Sequence, residues 1–229
     1  MSDIVEKLEH GFKTTVYQHA HLASKAIVVM AHGAGAGNRN EFMDCYCTKL
    51  AESQIKVISF NFDYMQIMYE SGKRRPPNPN KQLLTQFNQV LSELNTNLPV
   101  FIAGKSMGGR VASQLAATSE LGLKIQGCIV LGYPFMPPGK PEKFADRTQH
   151  FIELTVPLLI NQGERDTFGG VDSLSNKSHE PVLCNSKLQL KWIPSGDHSF
   201  KPLKSSGVTI EENIETAVRN TVKFIHELV

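Results

Sequence analysis

Val100-Phe-Ile-Ala-Gly-Lys-Ser-Met-Gly-Gly-Arg110 (VFIAGKSMGGR) carries two overlapping signatures: the Gly-Lys-Ser that closes a phosphate-binding P-loop, and the G-x-S-x-G spacing of a nucleophile elbow. The two make different demands upstream. A P-loop requires a glycine five places before Gly104, in a loop whose backbone N–H groups wrap phosphate. Pro99 holds that place, and the apolar run LPVFIA reaches Gly104 directly, so no residues are left to build the loop. An elbow requires a buried strand, a tight turn with small flanking residues, and a helix. Gly104, Gly108 and Gly109 are the small flanks, and RVASQLAAT continues with Val111, Leu115 and alanines at helical spacing. Ser106 is therefore expected at the end of a strand with its hydroxyl presented.

The surrounding chain has the composition of a globular protein. Its 229 residues are enough for one sizeable core, and one domain over 1–229 is expected. With 24 Lys+Arg against 22 Asp+Glu, the formal charge is +2 and no long basic run exists, which argues against nucleic acid as a partner. No run reaches the ~18 apolar residues of a membrane span. The start MSDIVEKLEH lacks an apolar signal core, so a reducing, cytoplasmic location is expected. Of the four cysteines, Cys45 and Cys47 are two apart in a helix-like stretch and would face different ways. Cys128 and Cys184 have no partner at metal-ligand spacing, so all four are read as small apolar thiols and no metal is expected.

Apolar, β-branched runs recur at 25–31 (KAIVVMA), 55–62 (IKVISFNF), LPVFIA, QGCIVLGYPF and 156–163 (VPLLINQG), with an alternating run at 187–195 (KLQLKWIPS). Helical spacing appears at 40–52, 81–94, after Ser106 and at 209–229, with 144–154 as a further helical candidate. Residues 64–80 read as the one long loop. Continuous apolar strands alternating with helices predict an α/β fold of three layers, a mostly parallel sheet covered on both faces. Ligands of such sheets bind beyond the carboxyl ends of the strands. There stand His32-Gly-Ala-Gly-Ala-Gly37, Ser106, Gly163-Glu-Arg-Asp166 and Gly196-Asp-His198. A serine, an acid and a histidine follow three different strands, in that chain order.

At these residues the chain resembles the α/β-hydrolases, over nearly its whole length. Within them it is similar to the compact group related to dienelactone hydrolase, most closely to small bacterial hydrolases akin to a subunit of the NSL chromatin complex. HGAGAG (32–37), GKRRPP (72–77), GKSMGGR (104–110), GYPFMPPGKPEK (132–143), QGERD (162–166) and GDHSFKP (196–202) carry that likeness. Dienelactone hydrolases use cysteine at the elbow where this chain has Ser106, so their substrate is not carried over. The resemblance implies a cofactor-independent serine hydrolase acting on a carboxylic ester or related small acyl substrate. Ser106 would be the nucleophile, His198 the base that takes its proton, and Asp166 the group that orients the imidazole. The N–H groups of Met107 and Ala34 would form the oxyanion hole. The rival reading is an α/β-hydrolase-fold interaction module that binds a protein partner and does no chemistry.

Other candidates have plainer readings. In HGAGAG a dinucleotide fingerprint would need glycine at Asn38 or Asn40, so the glycines are read as room for a tight turn. His32 is expected to orient backbone. Glu164 and Asp197 are weaker partners for His198 than Asp166. His10, His19, His21, His150, His179 and His226 show no paired ligand spacing. Arg74 and Arg75, beside Lys73, leave two readings open: contact with an anionic substrate, or anchoring of the loop. Tyr133 and Phe135 are expected along the apolar wall of the site, with core packing as the alternative. Too few residues follow Pro134 for a lid domain, which favours small or soluble substrates.

Overall fold

A computed structural model describes residues 2–9, 12–118, 121 and 123–229. The strands are β1 (Ser2–Glu9), β2 (Phe12–His19), β3 (Ala26–Ala31), β4 (Ile55–Phe60), β5 (Val100–Lys105), β6 (Gly127–Leu131), β7 (Leu158–Gly163) and β8 (Leu188–Ile193). They form one sheet in the order β1-β2-β4-β3-β5-β6-β7-β8. From β4 to β8 all neighbours are parallel; β1 with β2, and β2 with β4, are antiparallel.

The unbroken apolar runs follow from burial on both faces. Along β3, β5 and β6, Val29, Ala31, Ile102 and Val130 point into one core, while Val28, Met30, Phe101, Ala103 and Ile129 point into the other. The helices are α1 (Glu41–Glu52), α2 (Asp63–Ser71), α3 (Asn80–Ser92), α4 (Met107–Leu115), α5 (Phe144–Thr148), the short α6 (Val171–Leu174) and α7 (Glu180–Leu183), and α8 (Ile210–His226). Leu83, Phe87, Val111 and Leu115 bring α3 and α4 to the first core. Met43, Leu50, Ala217 and Phe224 bring α1 and α8 to the second. Capping fixes the starts of α1 and α8: the Asn40 side chain accepts from Met43 N–H, and Thr209 with Glu212 closes a capping box.

Three expectations about elements change, and one pair of strands is added. The segment 64–80 is not one loop, because α2 occupies its first half before Gly72 ends the helix in a left-handed turn (φ 68°). The strand expected over 55–62 stops at Phe60. The candidate helix over 144–154 is α5 followed by a 3₁₀ turn, Gln149–Glu153. The antiparallel pair β1–β2 extends the sheet by an edge that the apolar pattern does not announce. Cys47 and Cys128 are buried, Cys45 is half-buried and Cys184 exposed, all as free thiols. Among the described residues no helix is long and apolar enough to cross a membrane. His10 lies outside the described residues.

Candidate active site

Ser106 stands between the last residue of β5 and the first of α4, with φ 51° and ψ −113°. A non-glycine residue in that region is strained and persists only where its surroundings enforce it. Here the surroundings are glycines under contact: a Cβ on Gly108 would come within 2.5 Å of His32 O, and one on Gly109 within 2.5 Å of Val130 Cγ1. Helix α4 thus starts hard against the ends of β3, β5 and β6. Ser106 N–H donates to Leu131 O at 3.0 Å, which pins the turn to β6.

The three residues from separate strand ends meet. Ser106 Oγ lies 2.8 Å from His198 Nε2, and His198 Nδ1 lies 2.7 Å from Asp166 Oδ2. Asp166 is 2 % exposed and acceptor-only as a carboxylate, so the proton of the pair sits on Nδ1 and the Nε2 lone pair faces the serine. Two more donors hold the carboxylate: Phe168 N–H on Oδ1 at 2.8 Å and Gln162 Nε2 on Oδ2 at 2.9 Å. Gln162 in turn accepts from Tyr133 N–H at 2.7 Å and donates to Gly169 O at 3.1 Å, so it ties the acid's loop to the end of β6. Sequence reasoning did not assign Gln162 a role, although it opens the QGERD motif.

The competing acids are engaged elsewhere. Asp197 Oδ1 accepts the N–H groups of Ser199 (2.7 Å) and Lys201 (3.0 Å), folding the turn that presents His198. Glu164 Oε2 accepts from Ser195 N–H at 2.7 Å, at the start of the same turn. Both shape the histidine loop, and neither touches the imidazole.

Across the cleft, the 33–36 turn follows β3. His32 is fully buried, accepts Phe62 N–H on Nε2 at 3.0 Å and meets Gly33 O through Nδ1 at 2.7 Å. An imidazole that accepts at Nε2 and donates at Nδ1 is neutral, and burial pulls its pKa from the ordinary 6.5 to about 4. Tyr64 Oη donates to Ala34 O at 3.0 Å, and Gly37 N–H donates to Tyr69 Oη at 3.2 Å, so α2 braces the turn from outside. Ala34 lines the cleft beside Ser106 and His198. Met107 is the first residue of α4, where the backbone N–H has no acceptor inside the helix.

Neutral burial of His32 has a pH consequence. The folded-state pKa is depressed, so the unfolded chain binds the proton first as pH falls; the contribution is whole above 6.5 and is lost toward 4. Its size is on the order of 3 kcal/mol. Half-buried His150, also pulled down to about 4 by burial and then by Arg110, adds in the same direction. Urea unfolding midpoints should therefore fall from pH 7 to pH 4.5, and His32→Gln should flatten that fall. An unchanged slope in the variant would remove His32 as its source.

The cleft holds about 340 Å³ and is bounded by the 33–36 turn, Phe42, Met43, Lys105, Phe168 and the Ser106–His198 pair. The expected apolar wall of Tyr133 and Phe135 is not there. Both are fully buried, their rings 4.8 Å apart, with Tyr133 Oη donating to Arg147 O and Phe135 packed under Gly169. They support the acid's loop from behind, the core-packing alternative. Arg74 and Arg75 are exposed between α2 and α3 and do not line the cleft.

A parallel sheet with a strained serine at a strand-to-helix turn, hydrogen-bonded in series to histidine and acid, defines the α/β-hydrolase class. The chain belongs to the alpha/beta hydrolase domain family, whose model matches residues 24–226. Among solved structures it is similar to dienelactone hydrolase from Anabaena variabilis, at 16% identity and a TM-score of 0.68 over 100% of this chain and 98% of that one. It is also similar to Est1E from Butyrivibrio proteoclasticus, 14% identical with a TM-score of 0.68 over 98% of each chain. An alpha-beta serine hydrolase homologue from Coxiella burnetii is 19% identical, with a TM-score of 0.62 over 95% of this chain and 96% of that one. At such identities the likeness is one of fold. A search among curated protein sequences found no match.

Proposed function

We propose that the protein is a cofactor-independent serine hydrolase that cleaves a carboxylic ester or related acyl bond in a small substrate. The observation that carries this reading is the unbroken hydrogen-bond series from Ser106 through His198 to Asp166. A neutral serine hydroxyl is a poor nucleophile, and His198 Nε2 is placed to take its proton as the oxygen attacks the acyl carbon. Asp166 keeps the imidazole in the required tautomer and stabilises the imidazolium without accepting the proton itself. The carbonyl oxygen becomes an anion between the N–H groups of Met107 and Ala34, where each donor typically contributes ~10²–10³ in rate. His198 then protonates the departing alcohol oxygen, leaving an acyl-Ser106. Water, deprotonated by the same imidazole, attacks that ester and releases the acid.

In this reading residues 1–229 work as one domain. Within the family we place the chain with the small bacterial hydrolases akin to an NSL-complex subunit, on the motifs at 32–37, 72–77, 104–110, 132–143, 162–166 and 196–202. The reading is tested without a guessed substrate by incubating the protein with a fluorophosphonate probe and mapping the adduct by mass spectrometry. A single adduct on Ser106, absent from Ser106→Ala, is expected. A folded, monodisperse protein that forms no adduct would shift the reading to an interaction module.

The two arginines off the cleft supply a second check. Because Arg74 and Arg75 are exposed and line no part of the cleft, the double alanine variant should change KM little for either an anionic or a neutral ester of the same acid. A rise confined to the anionic ester would instead bring the 72–77 loop over the substrate.

A further inference from the structure

Lys105, the residue that gives the elbow its P-loop appearance, has no part in the chemistry above and yet lies beneath it. It ends β5, one position before the serine, and its side chain runs across the strand ends to the histidine loop. There Nζ donates to the carbonyl oxygen of His198 at 2.5 Å. The ammonium also sits 5.6 Å from the ring centre of Phe42 at the start of α1 and 5.9 Å from that of Phe200 in the histidine loop, within cation–π range of both. Gly132, after β6, is in the left-handed region (φ 65°), and a Cβ there would come within 2.9 Å of both Nζ and His198 O. The space in which amine and carbonyl meet is therefore kept open by a glycine.

The loop needs such a tie. It has two non-glycine residues in the left-handed region, Ser195 (φ 52°) and Phe200 (φ 64°), on either side of His198. Asp197 binds N–H groups within the loop, whereas Lys105 grips it from the sheet. Burial lowers the lysine pKa to about 8 against the opposing pull of Asp166 and then Asp197.

We propose that Lys105 is a positioning residue: by holding the carbonyl of His198 it fixes the imidazole where it meets Ser106 and Asp166 at once. This rests on the serine-hydrolase reading for its consequence in rate, but the place of the imidazole can be measured without any reaction. Two readouts separate the claims: the rate of fluorophosphonate capture of Ser106 per folded molecule, and the low-field proton NMR signal of His198 Nδ1–H on Asp166.

In Lys105→Met, which keeps the length and loses the donor, capture is expected to slow at least ~10-fold, the scale on which sub-ångström misplacement acts. The low-field signal should broaden or vanish. Lys105→Gln, polar but too short to reach the carbonyl, gives the same comparison if the methionine variant does not fold. Lys105→Cys alkylated with bromoethylamine, beside wild type treated in the same way, rebuilds the amine and should recover both readouts. Capture at the wild-type rate with the signal in place would overturn the proposal, even if the variant melts earlier, and so would the lack of the signal in wild type. If wild type shows the signal but is not captured by the probe, the hydrolase reading fails, and the NMR comparison alone decides the role of Lys105.

Discussion

His198→Ala is expected to lower turnover of a p-nitrophenyl ester by about four to six orders of magnitude, with KM nearly unchanged. The imidazole is the only group bonded to the Ser106 hydroxyl among the described contacts, at 2.8 Å, so its loss leaves a neutral alcohol as nucleophile and an unprotonated leaving group. What would survive is the pull of the two proposed oxyanion donors, the N–H groups of Met107 and Ala34. Because serine and imidazole act as a unit, Ser106→Ala with His198→Ala should be little worse than either alone. Asp166→Asn should cost ~10⁴: the amide can donate to Nδ1, which turns the imidazole proton toward Nε2 and the serine. Activity of His198→Ala within tenfold of wild type would remove the proposed mechanism.

Gly104→Ala is expected to lose at least ~3 kcal/mol of stability, read as a shift of the urea midpoint at unchanged m-value. A single added methyl would fall on the backbone of Gly108 and Gly109, too close for any real contact, and neither can retreat. Gly108 is itself against His32 O, and Gly109 against Val130. The three atoms nearest the added methyl are all main chain, so no flexible side chain can yield at the point of contact. Gly35→Ala is the control: a Cβ there meets nothing within 4 Å, so its stability should stay within ~0.5 kcal/mol of wild type. Equal losses at Gly35 and Gly104 would mean that backbone freedom, not the interlock of β5 with α4, governs the elbow.

Much of this was legible in the sequence, for a physical reason. Strands buried on both faces must be continuously apolar, so β3, β5, β6 and β7 announce themselves, and the residues after them mark the carboxyl edge where Ser106, Asp166 and His198 meet. Edges carry no such constraint. In β8 only Leu188 and Ile193, its two end residues, are buried, and β1 presents Asp3, Ile4 and Val5 to solvent, so the β1–β2 pair leaves little trace. Helix α2 reads as loop in the sequence because it buries only Tyr64 and Met65 and runs straight into Gly72 and a proline-rich stretch. Tyr133 and Phe135 show the limit of reasoning from position: an apolar residue just after a strand can face the cleft or the core, and only packing decides. Gln162 and Lys105 escaped for the opposite reason. Their partners are a carboxylate and a backbone carbonyl brought near by the fold, and no spacing in the chain records such a meeting.

The order of strands has a consequence for how the molecule comes into being. Outward from β3, the sheet adds β5, β6, β7 and β8 in chain sequence, and β8 is the last strand at its edge. The elbow is written on β5 and the imidazole beyond β8, 92 positions further along the chain. A polypeptide growing from its amino end carries a finished serine turn well before any base exists to arm it. Only the seating of the final strand, with α8 closing over it, would bring the proposed chemistry to life. Hydrolytic turnover would then double as a signal of complete assembly, silent in every shorter intermediate.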